Sequence, residues 1–220
     1  MRTRFFFPVS YLISLAALLP LLLFVSGCTP IGAAIGAGAT AGSIAMEERS
    51  FSDSISDREI AVRINKRYVD NSTSLFANVN VDVVEGRVLL TGAVADQNMR
   101  IDAARLAWQE DGVSIVINEI QVTPDGDIFH AGRDAIVKTK LVAAITLDRY
   151  VQAVNYEIAV TNGTVYLFGI AQNRAEVDRV IAHARTLAYV RRIIDHMQMV
   201  DAPERLTRLA EQEKANNAAQ

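Results

Sequence analysis

Residue types able to do covalent or metal chemistry are sparse in this chain and poorly spaced for it. There is one cysteine, Cys28, and there are three histidines, His130, His183 and His196. No HxH, HExxH or Cys/His spacing joins them, so a zinc or hydrolytic centre has no local motif to build on. Asp125, Asp127 and Asp134 in Pro-Asp-Gly-Asp-Ile-Phe-His-Ala-Gly-Arg-Asp invite a calcium reading. The third oxygen ligand and closing Glu of an EF-hand loop do not arrive at their offsets, and the stretch reads as a turn-forming linker. His183 falls in a helical stretch, where sequence does not say whether a carboxylate lies beside it. The expectation is a non-catalytic chain with no metal, no cofactor and no small-molecule substrate. Cys28 has no second thiol for an internal disulfide, so its chemistry lies outside the chain.

The residues before Cys28 say what that chemistry is. Arg2 and Arg4 make a positive start, Phe5 to Val25 carries no charge, and Ser26-Gly27 are small, which is the order of an export signal. Val25-Ser26-Gly27-Cys28 resembles the bacterial lipobox. That resemblance implies a diacylglycerol on the Cys28 thiol, cleavage after residue 27 and acylation of the new amino terminus. An uncleaved membrane helix over Leu12 to Val25 is the alternative, and Pro8 and Pro20 stand against it. One acyl chain binds a bilayer only reversibly, whereas two or more hold firmly. By resemblance to proteobacterial lipoproteins, Thr29 in place of Asp after the cysteine implies the outer membrane, with the body facing the periplasm. Loss of residues 1–27 leaves 20 basic against 25 acidic residues, about −5. No clustered basic face suits nucleic acid. From Pro30 to Met46 the chain is small and apolar, with Gly32 and Gly36, and Gly38 and Gly42, four apart. It is too short and glycine-rich for a comfortable span and reads as a flexible or surface-lying spacer within residues 28–50, with self-association through the glycine spacing as the alternative.

The rest of the chain carries an internal repeat with an offset of 77 residues. Asp57 falls on Asp134, Ile60 on Val137, Ile64 on Leu141, Val81 on Ile158, Val88 on Val165 and Ile117 on Ile194, with no gap. Two copies of one small domain follow, 51–123 and 134–200, joined by 124–133. In each, an Asp is an N-cap candidate for a helix ending near Tyr68 or Leu147. Alternating Val79, Val81, Val83 and Tyr156, Ile158, Val160 then make a strand. Asn162-Gly163 is the strongest short hairpin signal, and the first copy keeps only the glycine, which predicts a less well optimised turn there. Return strands end at Gly92 and Gly169, second helices span 98–109 and 174–187, and last strands span 114–122 and 190–199. The order predicts an α+β fold of two tandem two-layer α-β-β-α-β domains, each a three-stranded sheet under two helices. Trp108 and Tyr156 read as core. A domain of this size is marginal alone, so the copies are expected to lean on each other. Beyond residue 200, Pro203 starts a short helix over 204–214, and 216–220 is expected to be disordered.

The strand, turn glycine, apolar strand and closing glycine stand as Val81-Asp82-Val83-Val84-Glu85-Gly86-Arg87-Val88-Leu89-Leu90-Thr91-Gly92. They recur as Ile158-Ala159-Val160-Thr161-Asn162-Gly163-Thr164-Val165-Tyr166-Leu167-Phe168-Gly169. The pair resembles the BON domain family, and the lipobox, spacer and two domains together resemble its dual-domain outer-membrane lipoproteins. The resemblance implies a module that associates with phospholipid surfaces and supports outer-membrane integrity.

Charge narrows the choice of copy. Residues 57–123 hold 7 basic and 10 acidic residues, whereas 134–200 hold 8 and 6. The second copy is therefore the candidate for an anionic phospholipid surface. Its first helix carries more apolar residues than one core stripe needs. With Val137, Leu141 and Ile145 inward, Ile136, Lys138, Lys140, Val142 and Arg149 are left to meet the membrane. The alternatives are that Ile136 and Val142 pack on the first domain, and that the paired domains form an adaptor for an envelope protein.

Overall fold

The structure, a computed structural model, describes residues 51–123 and 131–218. The expectations placed on residues 1–50, Cys28 among them, on Asp125 and Asp127, and on 219–220 lie outside the described residues.

Each repeat forms one α-β-β-α-β unit. In the first, α1 (Phe51–Asn71) and a short α2 (Thr73–Asn78) lead to β1 (Val79–Val84), β2 (Arg87–Val94), α3 (Gln97–Trp108), β3 (Ile115–Asn118) and β4 (Gln121–Val122). In the second, α4 (Ala131–Thr146) and a 3-10 turn (Ala153–Asn155) lead to β5 (Tyr156–Thr161), β6 (Thr164–Ala171), α5 (Arg174–Arg185) and β7 (Arg192–Met199). A final helix, α6, spans Pro203–Ala218. The central strand of each sheet pairs antiparallel with the strand before it and parallel with the one after α3 or α5.

Helical spacing sets the inner stripes. Ile60, Ile64 and Tyr68 on α1, and Val137, Leu141 and Ile145 on α4, are buried against the sheets. Asp57 and Asp134 are not N-caps, because α1 and α4 begin upstream of them. Both carboxylates are instead buried and hold the hairpins: Asp57 accepts from the backbone N–H of Glu85 at 2.7 Å and of Gly86 at 2.9 Å. Asp134 does the same for Asn162 at 2.7 Å and Gly163 at 2.9 Å. Both turns have two left-handed residues, with φ of 52° and 70° in the first copy and 49° and 71° in the second. The first turn is thus no less well formed, since the Asp57 clamp fixes a geometry that Glu85 alone would disfavour. Gly92 and Gly169 are fixed by space: a Cβ on either would stand 2.0 Å from the carbonyl oxygen of Asn78 or Asn155.

The second face of each sheet is dry. Val84, Leu89 and Ile117 of the first domain pack with Ala159, Tyr166, Phe168, Ile170 and Ile194 of the second in one shared cluster. Glu119 and His196, equivalent positions of the repeat, meet side chain to side chain at 3.0 Å. Contact between equivalent positions is what a local two-fold relation produces. Arg87 crosses the same interface, donating to the His196 carbonyl at 2.8 Å and lying over the Phe168 ring. Burial pushes its guanidinium down to about 10, Arg208 acts in the same direction, and Glu85 opposes them.

Two further expectations are corrected. Trp108 is 53% exposed rather than core, because it sits at the end of α3 on the face turned from the sheet. The carboxy-terminal helix reaches Ala218, well beyond 214, and it is docked. Arg205 and Arg208 are buried on Glu85, with Nη2–Oε distances of 2.6 and 3.0 Å, and Gln212 donates to the Glu85 carbonyl at 3.3 Å.

Candidate functional site

On α4, the buried residues Asp134, Val137, Leu141 and Ile145 fix which arc faces out. At about 100° per residue, Arg133, Ile136, Lys140, Ala143 and Leu147 fall within about 80° of one another on the opposite side. All five are exposed, Ile136 at 56% and Leu147 at 86%, and Leu147 still donates to the Ala143 carbonyl at 3.2 Å as a helical residue does. Of the residues expected at a membrane, the helix therefore brings Ile136 and Lys140 together. Lys138 and Val142 lie about 140–180° away, on the other flank. Ile136 and Val142 are both exposed, so packing on the first domain does not account for them.

Lys138 points elsewhere. It lines a cleft of about 740 Å³ between the domains, with Asn65, Phe76, Asn80, Asp82 and Asn162. Burial raises the Asp82 carboxyl, and the Lys138 charge opposes that rise.

Arg149 lies in the turn after α4. Tyr150, 58% exposed, holds the guanidinium of Arg149 at 4.6 Å from its ring centroid and that of Arg179 at 4.7 Å, and Arg149 also donates to the Tyr150 hydroxyl. Asp148 pins the turn: it accepts from Arg179 and from the Tyr150 N–H and pairs with His183 at 2.8 Å. Those bonds, that to His183 first, hold its carboxyl down at about 2. A similar stack stands at the other end of α4, where Arg133 and Arg191 lie 5.6 and 5.2 Å from the Tyr189 ring centroid. Sequence reading missed both stacks, since Arg179, Tyr189 and Arg191 reach α4 only through the antiparallel packing of α5 beside it. Among the described residues no group of three or more His, Cys, Asp and Glu side chains is placed to hold a metal ion.

The same positions in the first domain carry a different surface. The outer stripe there is Ser56, Glu59, Arg63, Lys66 and Asp70, and its charges cancel within the helix, Glu59 with Arg63 and Lys66 with Asp70. Glu110 takes up Arg63 a second time, at 3.2 Å, and Arg67 as well. The equivalent of Glu110 is Leu187, which leaves Lys140 without that acid. Arg133, Lys140, Arg149 and Arg191 enter no salt bridge among the described residues. Along this stripe, and among the described residues, α1 presents a neutralised ladder, beside an exposed Val62 and an Arg58 that enters no salt bridge, where α4 presents uncompensated cations between apolar side chains.

A protein of Anaplasma centrale described as an uncharacterized protein in the gshII 5' region is 34% identical over 66% of this chain and 95% of its own length. The outer membrane lipoprotein DolP of Haemophilus influenzae is 29% identical over 88% of this chain and 99% of its own. Among solved structures, CdsD, a structural protein of the type III secretion system of Chlamydia trachomatis, aligns over 70% of this chain and 68% of its own at 16% identity, with a TM-score of 0.29. The BON domain model matches residues 56–124 and again 133–201, both repeats from end to end, and the chain belongs to the BON domain family.

Proposed function

We propose that this protein is an envelope lipoprotein, anchored through Cys28 to the outer membrane and facing the periplasm, whose second BON domain associates with anionic phospholipid and supports outer-membrane integrity. Like its family, the chain is non-catalytic. The observation that carries the reading is the contrast between the repeats: the α1 stripe is neutralised by its own acids, and among the described residues the α4 stripe of Arg133, Ile136, Lys140 and Leu147 is not. Its likeness to an outer membrane lipoprotein over almost its whole length supports the location. Basic groups near an anionic surface contribute about 1 kcal/mol each. Arg133, Lys140, Arg149 and Arg191 together therefore supply about 4 kcal/mol, a dissociation constant of about 1 mM for a free body. That is weak alone and sufficient for a body already held at the surface by acyl chains. Lysine and arginine stems lie along the apolar zone while their charges reach phosphate.

The test is co-sedimentation of the chain from residue 28, with Cys28→Ser so that no acyl chain contributes, against anionic and zwitterionic vesicles. Preference for anionic vesicles is expected, with loss of that preference in Ile136→Glu/Lys140→Glu and little change in Lys138→Glu, whose side chain lines the cleft. Equal binding to both vesicle types would overturn the reading.

One observation favours a second reading, an adaptor for an envelope protein. Ile101 and Trp108, seven apart on α3, are 54% and 53% exposed. Crosslinking from position 101 in cells that captures one envelope protein, lost in Trp108→Ser, would support it.

A further inference from the structure

We infer that the two arginine–tyrosine stacks at the ends of α4 are seats for phospholipid head-group phosphates, and that they lay the helix along the membrane plane. This rests on the proposed association with anionic phospholipid and adds to it the groups that grip. One stack gathers Arg133 and Arg191 on Tyr189, and the other gathers Arg149 and Arg179 on Tyr150. A ring that holds two guanidinia by its electron-rich face offsets part of their repulsion and aims their planar N–H forks, the geometry that grips phosphate in a bidentate way. The fork of Arg179 is taken by Asp148, which accepts from its Nε and Nη2, so at Tyr150 it is Arg149 that is left to grip; Arg149, Arg133 and Arg191 have no acid among the described residues. The exposed Lys140 and Leu147 lie between the stacks, on the same side of the helix.

The repeat supplies an internal control. The position of Tyr189 is Gly112 in the first copy, and both have a left-handed backbone, with φ of 78° and 87°. Glycine adopts that conformation freely, whereas a bulky aromatic there is strained. The second copy keeps a strained tyrosine where its sister uses the residue the backbone prefers, and the tyrosine adds a ring that packs on one side against the domain core and carries two arginines. Tyr150 stands on Thr73, Arg191 on Ser114 and Arg179 on Asp102, so neither stack exists in the first domain.

Vesicle partitioning of the same unacylated chain separates grip from charge. Tyr189→Gly relieves the strain but gives up the ring's packing on the second-domain core, so its melting temperature is read beside its binding; it should bind anionic vesicles about fivefold more weakly, and Tyr150→Thr, at an exposed ring, should weaken binding similarly. Arg133→Lys/Arg191→Lys keeps every charge and loses the forks, with about a fivefold loss also expected. With the sole tryptophan moved by Trp108→Phe/Tyr150→Trp, emission should shift to the blue on anionic vesicles. If the Tyr189→Gly and double-lysine variants bind as the parent does, the stacks are not seats and the charge-based association stands without them. If the parent shows no anionic preference, the underlying reading falls as well. Displacement from vesicles by excess inorganic phosphate at constant ionic strength would show sites for free phosphate and overturn the assignment to lipid.

Discussion

Asp57 and Asp134 show how one side chain fixes a supersecondary unit. Each carboxylate accepts two N–H groups from a turn 28 and 29 residues away, tying the first helix of its domain to the hairpin. An asparagine keeps one accepting oxygen and turns an amide donor toward the second N–H. Asp57→Asn and Asp134→Asn should therefore each cost roughly 2 kcal/mol in denaturant unfolding, the scale for hydrogen bonds to a charged group. Asp148 makes a pH prediction. Its carboxyl is held at about 2 against an ordinary 3.8, so the folded state favours the anion. The stability it adds is fully present above pH 3.8 and is lost as pH falls through about 2. The protection factor of the Tyr150 amide should fall as pH drops through that window, and Asp148→Asn should abolish that fall.

At the scale of elements, the hairpin β1–β2 and the helix α6 explain each other. Glu85 sits in a left-handed turn position that its sister copy gives to asparagine, and its side chain is 1% exposed beneath Arg205 and Arg208. Removing one side of a buried ion pair strands the other charge, so Glu85→Ala should cost about 3–5 kcal/mol. Deleting 203–220 removes both cations and returns Glu85 to water, and it should cost less than Glu85→Ala in the same thermal melt. The sequence held half of this: Pro203 marked the helix start, but nothing local says that a polar helix rich in Glu, Arg and Asn finds a buried carboxylate 120 residues upstream.

Across the whole molecule, two domains that would each be marginal share a sheet-on-sheet core. Tyr166 and Phe168 project from β6 into it and are almost wholly buried, while Val165 and Leu167 face the helices. Phe168→Ala should cost about 3–5 kcal/mol, as large aromatic truncations do, and should split one calorimetric transition into two as the domains uncouple. A loss below about 1 kcal/mol would mean the interface is not a common core. The continuous apolar run Val165 to Ala171 was the available signal, since a strand wet on one face alternates and one buried on both does not.

The sequence by itself determined the repeat, the order of elements, the inner stripes of both first helices and the membership of the family, because hydrophobic period, turn glycines and a constant offset are local or self-comparing signals. It also determined that the second copy is the more basic. Only the tertiary structure decided which cations remain uncompensated. Arg63 and Lys140 occupy the same place in the repeat, yet one meets Glu110, and the position of that acid in the second copy is Leu187. The destinations of Lys138, Arg149 and Trp108 were settled in the same way: pairing, stacking and exposure depend on what the rest of the chain brings within a few ångströms, which no count of charges along the sequence contains.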